Sequence, residues 1–319
     1  MGNGIEAALS RVTAILDNIE QVIIGKREAI ELAVIALISE GHLLIEDAPG
    51  VGKTMLARSL ARSLDCTFKR IQFTPDMLPS DIIGVSMYNQ KTGNSEFHPG
   101  PVMAQIVLAD EINRATPKLQ SALLECMEER QITIDGVTHK MPMPFHILAT
   151  QNPVEYEGTF PLPETQLDRF LMRISLGYPS VSDEIAIMNS QRYHHPIENL
   201  QSVATSADVE MLQMTVKNIY IDDLIKQYIA DLVGATRHHP DIFLGASPRG
   251  SLALYRTAQA RALINGRDYV LPDDVKALAE PVLAHRLIVR LTDSSPDRSG
   301  RDIVARILES VSVPGAQTK

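Results

Sequence analysis

Two short stretches carry residues whose types and spacing could do chemistry: Asp47-Ala48-Pro49-Gly50-Val51-Gly52-Lys53-Thr54 and, further along, Asp110-Glu111. In the first, Gly50 and Gly52 remove Cβ atoms from a tight turn, so successive backbone N–H groups can converge on phosphate oxygens. Lys53 supplies a charge that reaches β- and γ-phosphates, and the Thr54 hydroxyl is a hard ligand for Mg²⁺. One position departs from a strict phosphate-binding loop, because Asp47 stands where the motif has Gly. With Pro49, Val51 and Met55, residues 47–55 form the predicted nucleotide-binding segment. In the second stretch two carboxylates end an apolar run, Ile106-Val107-Leu108-Ala109. Asp110 would hold Mg²⁺ through water opposite Thr54, and Glu111 could polarise an attacking water as general base. A solvated strand end would also explain an isolated Asp-Glu pair; its place behind the loop favours the chemical reading.

These residues need a frame. Leu43-Leu44-Ile45 reads as a strand entering the loop, and 55–61 as a helix leaving it, which puts the helix N-terminus at the anion. Residues 67–73 read as a second strand; strand, loop, helix and strand open a parallel α/β sheet. The run 105–111, the segment 145–150 and the segment 171–176 supply its remaining strands, so five are expected. Asn152 follows the fourth and could reach a γ-phosphate or its water; in isolation it is a turn residue. Two helices precede the sheet, over 6–21 with Ala7, Leu9, Val12, Ile15, Leu16 and Ile19 on one face, and over 27–39, with Gly41 as its stop. Two β-hairpins are predicted: 84–98 around Lys91-Thr92-Gly93-Asn94, with an irregular loop as alternative, and 131–139 around Asp135-Gly136, a dipeptide favouring a type I′ turn. Between them, Thr116 caps a helix whose Leu119, Leu123, Cys126 and Met127 share a face, so Cys126 reads as a core thiol.

From about residue 182 the strands end. Helical patterns occupy 182–192, 207–219, 222–237, 248–264, 273–279 and 301–311, and in the third Leu224-Ile225, Tyr228-Ile229 and Leu232-Val233 predict one buried face. Ser247-Pro248-Arg249 opens the fourth with a cap and a Pro, placing Arg249 in its first turn; a solvated surface Arg is the competing reading. Only a polar patch over 292–301 breaks the pattern.

With 319 residues the chain divides into two expected domains, 1–180 and 181–319. A net charge of −9 and no Trp argue against a constitutive nucleic-acid binder. Two cysteines, Cys66 and Cys126, make neither a disulfide framework nor a metal site. No apolar run reaches bilayer length and the first residues lack a signal-peptide pattern, so a cytoplasmic protein with no membrane insertion is expected.

Taken together these motifs resemble the AAA+ ATPases, and within them the MoxR group. The likeness covers nearly the whole chain: the loop at 46–54 as Walker A, 107–111 as Walker B, and Asp110-Glu111-Ile112-Asn113-Arg114-Ala115. It continues through Leu123-Leu124-Glu125, Glu128-Glu129-Arg130, Ala149-Thr150-Gln151-Asn152-Pro153, Leu162-Pro163-Glu164, Leu167-Asp168-Arg169-Phe170 and Ser247-Pro248-Arg249. The resemblance implies an AAA+ P-loop domain with a five-stranded parallel sheet and hairpin insertions, followed by an all-α helical lid. It implies that Asn152 is the sensor-1 residue and Arg249 a sensor-2 contact from the lid. Arg169 would be an arginine finger offered to a neighbouring subunit, with Arg114 and Arg173 as alternatives, in a homo-oligomeric ring of six. The hairpins would face the pore or its rim.

Three functions follow. The favoured one is a Mg²⁺-dependent ATPase that remodels or matures a protein client, with a von Willebrand factor A domain protein or a metal or cofactor insertion step among its implied associations. The second is a nucleic-acid motor, and the third a nucleotide-switched scaffold with little hydrolysis. Glu111, Asn152 and Arg169 together argue against the third.

Overall fold

A computed structural model of the protein describes residues 2–91, 93–153, 159–290 and 299–315. Thr92 of the first hairpin turn and most of the polar stretch 292–301 lie outside them. The chain forms two compact units, one of Ala14–Leu162 and Ile174–Glu210, the other of Met1–Thr13, Pro163–Arg173 and Met211–Lys319. It passes between them more than once, so the single boundary at 180 divides the chain by its pattern rather than by these contacts.

The chain begins with α1 (Gly2–Glu20) and α2 (Arg27–Ile38). The buried stripe of α1 starts at Ala8 and continues through Val12, Ile15, Leu16 and Ile19, whereas Ala7, expected on that face, is exposed. α2 turns out of its helix at Glu40, whose φ of 56° is left-handed, rather than at the expected Gly41. Arg130 explains why a non-glycine residue holds this conformation: it donates to the Glu40 carbonyl at 2.6 Å and to its carboxylate at 3.2 Å. The Gly41 N–H then reaches back to the Ala36 carbonyl.

The next elements are β1 (Leu43–Glu46), α3 (Lys53–Ser63), β2 (Phe68–Gln72), the short α4 (Pro79–Ile83) and the hairpin β3 (Gly84–Asn89) with β4 (Asn94–Pro99). There follow β5 (Ile106–Asp110), α5 (Pro117–Glu129), the hairpin β6 (Gln131–Ile134) with β7 (Val137–Lys140), β8 (His146–Gln151), α6 (Glu164–Leu167), β9 (Met172–Ile174) and α7 (Val181–Ser190). The sheet runs β2-β5-β8-β1-β9, five strands as the pattern predicted. β5 is buried along its length and β8 up to Thr150, the near-continuous apolar run of a parallel strand covered on both faces. Both hairpins form, and Asp135 and Gly136 carry the paired positive φ values, 51° and 79°, of a type I′ turn. Their outer strands lean together, with the Phe97 and His139 rings stacked at 4.0 Å.

The remaining elements are α8 (Ser206–Lys217), α9 (Asp223–His238), β10 (Ile242–Leu244), α10 (Pro248–Ile264), α11 (Pro272–Leu283), β11 (Ile288–Val289) and α12 (Gly300–Ser310). The helices match the predicted ones, but strands do not disappear: β10 and β11 pair antiparallel as a small ribbon, too short to register as alternation in the sequence. On α9, Ile225, Tyr228, Ile229, Leu232 and Val233 are buried as expected, whereas Leu224 is 64% exposed. It sits in the first turn, beside the capping Asp222, before the buried stripe begins. No helix among the described residues is long and apolar enough to cross a membrane.

Candidate active site

The loop between β1 and α3 has the local geometry its glycines require. Gly50 and Gly52 adopt φ of 84° and 99°, and nothing lies within 4 Å of the place a Cβ would occupy. They are therefore glycine for backbone conformation, not for close packing. Gly52 is the N-cap of α3 and brings no capping side chain, so the first-turn N–H groups are left for a ligand. Lys53 Nζ donates to the Asp47 carbonyl at 2.7 Å.

Register then brings the other strand ends to this loop. β8 pairs with β1 on one side and β5 on the other, so Asn152, just beyond β8, stands between the loop and the carboxylates of β5. A cavity of about 360 Å³ is lined by Pro49, Gly50, Gly52, Lys53, Thr54 and Met55 from the loop, by Asp110, Glu111 and Asn152, and by Arg70. Thus most of the predicted set meets in one place, although Asn152 lies far from the loop in sequence and no two neighbouring strands of the sheet are consecutive in the chain.

Inside the cavity the carboxylates are held in a chain of hydrogen bonds. Thr150 Oγ1 donates to Asp110 Oδ1 at 2.6 Å and accepts from the Glu111 N–H at 2.8 Å. Arg70 donates Nε and Nη2 to Asp110 Oδ2 at 3.0 and 2.7 Å, and Nη2 also to Gln72 Oε1 at 2.6 Å. Gln72 Nε2 donates to Glu111 Oε2 at 2.7 Å, an oxygen that also accepts from Arg114 at 3.1 Å. Glu111 itself has φ 58° and ψ 51°, a left-handed conformation that costs a non-glycine residue roughly 1–2 kcal/mol. Such strain, fixed by the Thr150 contact, aims the carboxylate out of the strand line.

Two predicted residues of the loop are placed elsewhere. Asp47 does not line the cavity: its Oδ2 accepts from Ser175 Oγ at 2.9 Å and from the Leu176 and Gly177 N–H groups at 2.7 Å each, and its Oδ1 from the Ala48 N–H. Burial acts to raise its pKa, but these four donors outweigh it and hold the carboxyl below its ordinary value. The carboxylate thus clamps the start of the loop from outside the cavity. Val51 faces a second cavity of about 190 Å³, walled by Val22, Ile23, Pro179 and Ile187 with Gln191 and His195 at its polar side. Gly50, Gly52 and Met55 line both cavities, so an apolar slot and a polar one share the loop as their common wall.

Arg169 and Arg249 belong to the other compact unit, where one cluster anchors both segments. Asp168 accepts from Arg286 Nε at 2.9 Å and from Ser247 Oγ at 2.9 Å, and Ser247 caps the helix whose first turn holds Arg249. Arg286 is almost wholly buried and also donates to the carbonyls of Phe170, Leu171 and Val282; burial lowers its pKa to about 10, with Asp168 opposing the shift. Both thiols are pushed up to about 12 by burial, with a neighbouring carboxylate adding to it, so neither is a nucleophile at neutral pH.

The sequence reading missed Arg70, Gln72 and Thr150. Arg70 and Gln72 are two apart on a strand and so share a face, and Gln72 pairs with Asp110 across the sheet. That signal exists only once the strand order is known. The oxygens present fit Mg²⁺: the Thr54 hydroxyl and the Asp110 carboxylate beside a phosphate-sized cradle, hard ligands few enough to leave room for phosphate and water.

The pattern of the ATPase family associated with various cellular activities (AAA) matches residues 42–172, and that of the AAA lid domain matches 234–307. YeaC of Bacillus subtilis is 52% identical over 94% of this chain and 93% of its own. Chaperone MoxR1 of Mycobacterium tuberculosis is 39% identical over 98% of this chain and 84% of its own. The crystal structure of a Cytophaga hutchinsonii protein described as an ATPase superposes with a TM-score of 0.91 at 40% identity, covering 99% of this chain and 98% of that one.

Proposed function

The chain belongs to the MoxR group of AAA ATPases, and from that premise we propose that it hydrolyses ATP to drive the remodelling or maturation of a protein partner. One observation carries the reading: loop glycines, Lys53, Thr54, Asp110, Glu111 and Asn152 line a single cavity. The triphosphate lies along the loop, its oxygens taking the N–H groups at the start of α3 and the ammonium of Lys53. For the ammonium this means exchanging the Asp47 carbonyl for phosphate. The base enters the second, apolar cavity across the shared loop wall, which suits a flat ring with a polar edge. Thr54 and Asp110 would hold Mg²⁺, which would neutralise charge at the β- and γ-phosphates. Glu111 accepts a proton from the attacking water, and the Asn152 amide orients that water against the γ-phosphate.

The hydrolytic unit is a ring, with Arg169 reaching the site of the next subunit and Arg249 contacting nucleotide from the lid. The anchoring of both arginine segments on Asp168 supports a coordinated role for them. The hairpins β3–β4 and β6–β7 contact the client; Met87, Tyr88 and Val137 at 56, 68 and 57% exposure offer it apolar surface. The name of the Mycobacterium tuberculosis relative supports a chaperone role, and a von Willebrand factor A domain protein is the proposed class of partner.

Glu111→Gln tests the chemical part. The variant should bind ATP as the parent does and lose turnover on the order of 10²–10⁴-fold, the worth of a general base. Unchanged turnover in a steady-state phosphate-release assay would remove Glu111 from this role.

A further inference from the structure

The carboxylate expected to face the metal is already engaged by a cation from the protein itself. Arg70 comes from β2, lines the same cavity as Lys53 and Thr54, and delivers two N–H donors to one oxygen, Oδ2 of Asp110. The other oxygen of Asp110 accepts from Thr150. The Asp110 side chain is 10% exposed and that of Arg70 49%, so the carboxylate is the fixed partner and the guanidinium the one with room to leave. The same Nη2 also holds Gln72 Oε1, and Gln72 holds Glu111.

We propose that Arg70 competes with Mg²⁺ for Asp110 and so sets the metal concentration at which the site takes up nucleotide. This rests on the reading that the cavity binds ATP. Two N–H donors fill the lone pairs of a carboxylate oxygen, so a cation, or a water bound to it, reaches Oδ2 only after the guanidinium moves. At low metal Arg70 has a second effect: it neutralises Asp110, which otherwise faces the polyphosphate as a like charge. Moving Arg70 also removes one of the two anchors of Gln72, so loading of the metal loosens the grip on Glu111. Arg70 is in this sense a positioning residue that acts through Asp110 and Gln72.

The test is binding of a fluorescent, non-hydrolysable ATP analogue across a Mg²⁺ titration, starting from EDTA, for the parent protein, Arg70→Ala and Arg70→Lys. The expected result for Arg70→Ala is a half-saturating Mg²⁺ concentration several-fold below that of the parent, together with weaker binding in EDTA. Arg70→Lys keeps the charge and should lie nearer the parent. An Arg70→Ala protein that binds more weakly at every Mg²⁺ concentration, with its midpoint unmoved, would make Arg70 a phosphate ligand and overturn the proposal. An unmoved midpoint with unchanged affinity would overturn it too. A parent that binds no analogue at any Mg²⁺ concentration would overturn the ATP reading itself and this inference with it. Melting curves establish that each variant is folded; if Arg70→Ala is not, Arg70→Gln, of similar length and uncharged, carries the same comparison.

Discussion

Asp47 is the residue at which motif and structure part. A strict motif has Gly there, and by the motif alone a substitution to Gly repairs the loop. The structure gives the opposite expectation, because the Asp47 carboxylate satisfies two backbone N–H groups and a hydroxyl of 175–177 as well as the Ala48 N–H. Removing an ionised acceptor strands those partly buried donors, at a cost on the order of 2–3 kcal/mol. Asp47→Gly should therefore lower the denaturant midpoint and weaken nucleotide binding, since the loop loses its anchor at the β1 end. A variant as stable as the parent would show that the clamp is incidental. Arg70 makes a related point: its partner, Asp110, lies on another strand, so its task cannot be read from spacing alone.

At the scale of elements, what was legible follows from sequence-local physics. Glycines and caps act on their own turn, so Gly50, Gly52, the Asp135-Gly136 turn and the Ser247 cap stand where the pattern put them. The inner strands β1, β5 and β8 are largely apolar because a parallel sheet covered on both faces needs them to be, whereas the edge strand β2 carries Lys69, Arg70 and Gln72. What failed depends on where a neighbour ends: Ala7 and Leu224 lie at the ends of buried stripes, and the β10–β11 ribbon has strands of three and two residues. The Asp168–Arg286 pair spans 118 residues and has no local signature. The packing of β1 and β8 also contains a titratable pair, His42 and His146. Burial lowers His42 to about 3, with His146 and Arg130 adding to it, and lowers His146 to about 4. His42 accepts from the Ile147 N–H, which requires an unprotonated Nδ1. Unfolded, both rings take up protons near their ordinary value of 6.5, while the folded protein does not until far lower. Stability is therefore full above that value and falls as pH drops from it toward about 4. His285, in the other unit, is lowered by burial and by Arg286 and shifts stability in the same direction. Urea midpoints at pH 7.5, 6 and 5 should decline in that order; a flat series would contradict the buried, neutral histidines. Asp47 is linked in the same direction, but its contribution is lost only as pH falls below its ordinary value of 3.8, so it does not act in this window.

At the scale of the whole molecule, the cavity of one compact unit is lined by Glu111, Asn152 and the loop glycines, the proposed base, sensor and phosphate cradle, while the two arginines with predicted phosphate contacts belong to the other unit. The central claim is that turnover needs Glu111 of one subunit and Arg169 of its neighbour. The most direct measurement is a mixing experiment. Glu111→Gln and Arg169→Ala proteins are assayed for phosphate release separately and after mixing in varied ratios. Each alone should bind ATP and turn it over poorly, the second by on the order of 10³–10⁵-fold less than the parent. Mixed, an Arg169→Ala subunit with its intact Glu111 receives a finger from a Glu111→Gln neighbour, so activity should return and peak at intermediate ratios. No recovery at any ratio, or an Arg169→Ala protein as active as the parent, would contradict it.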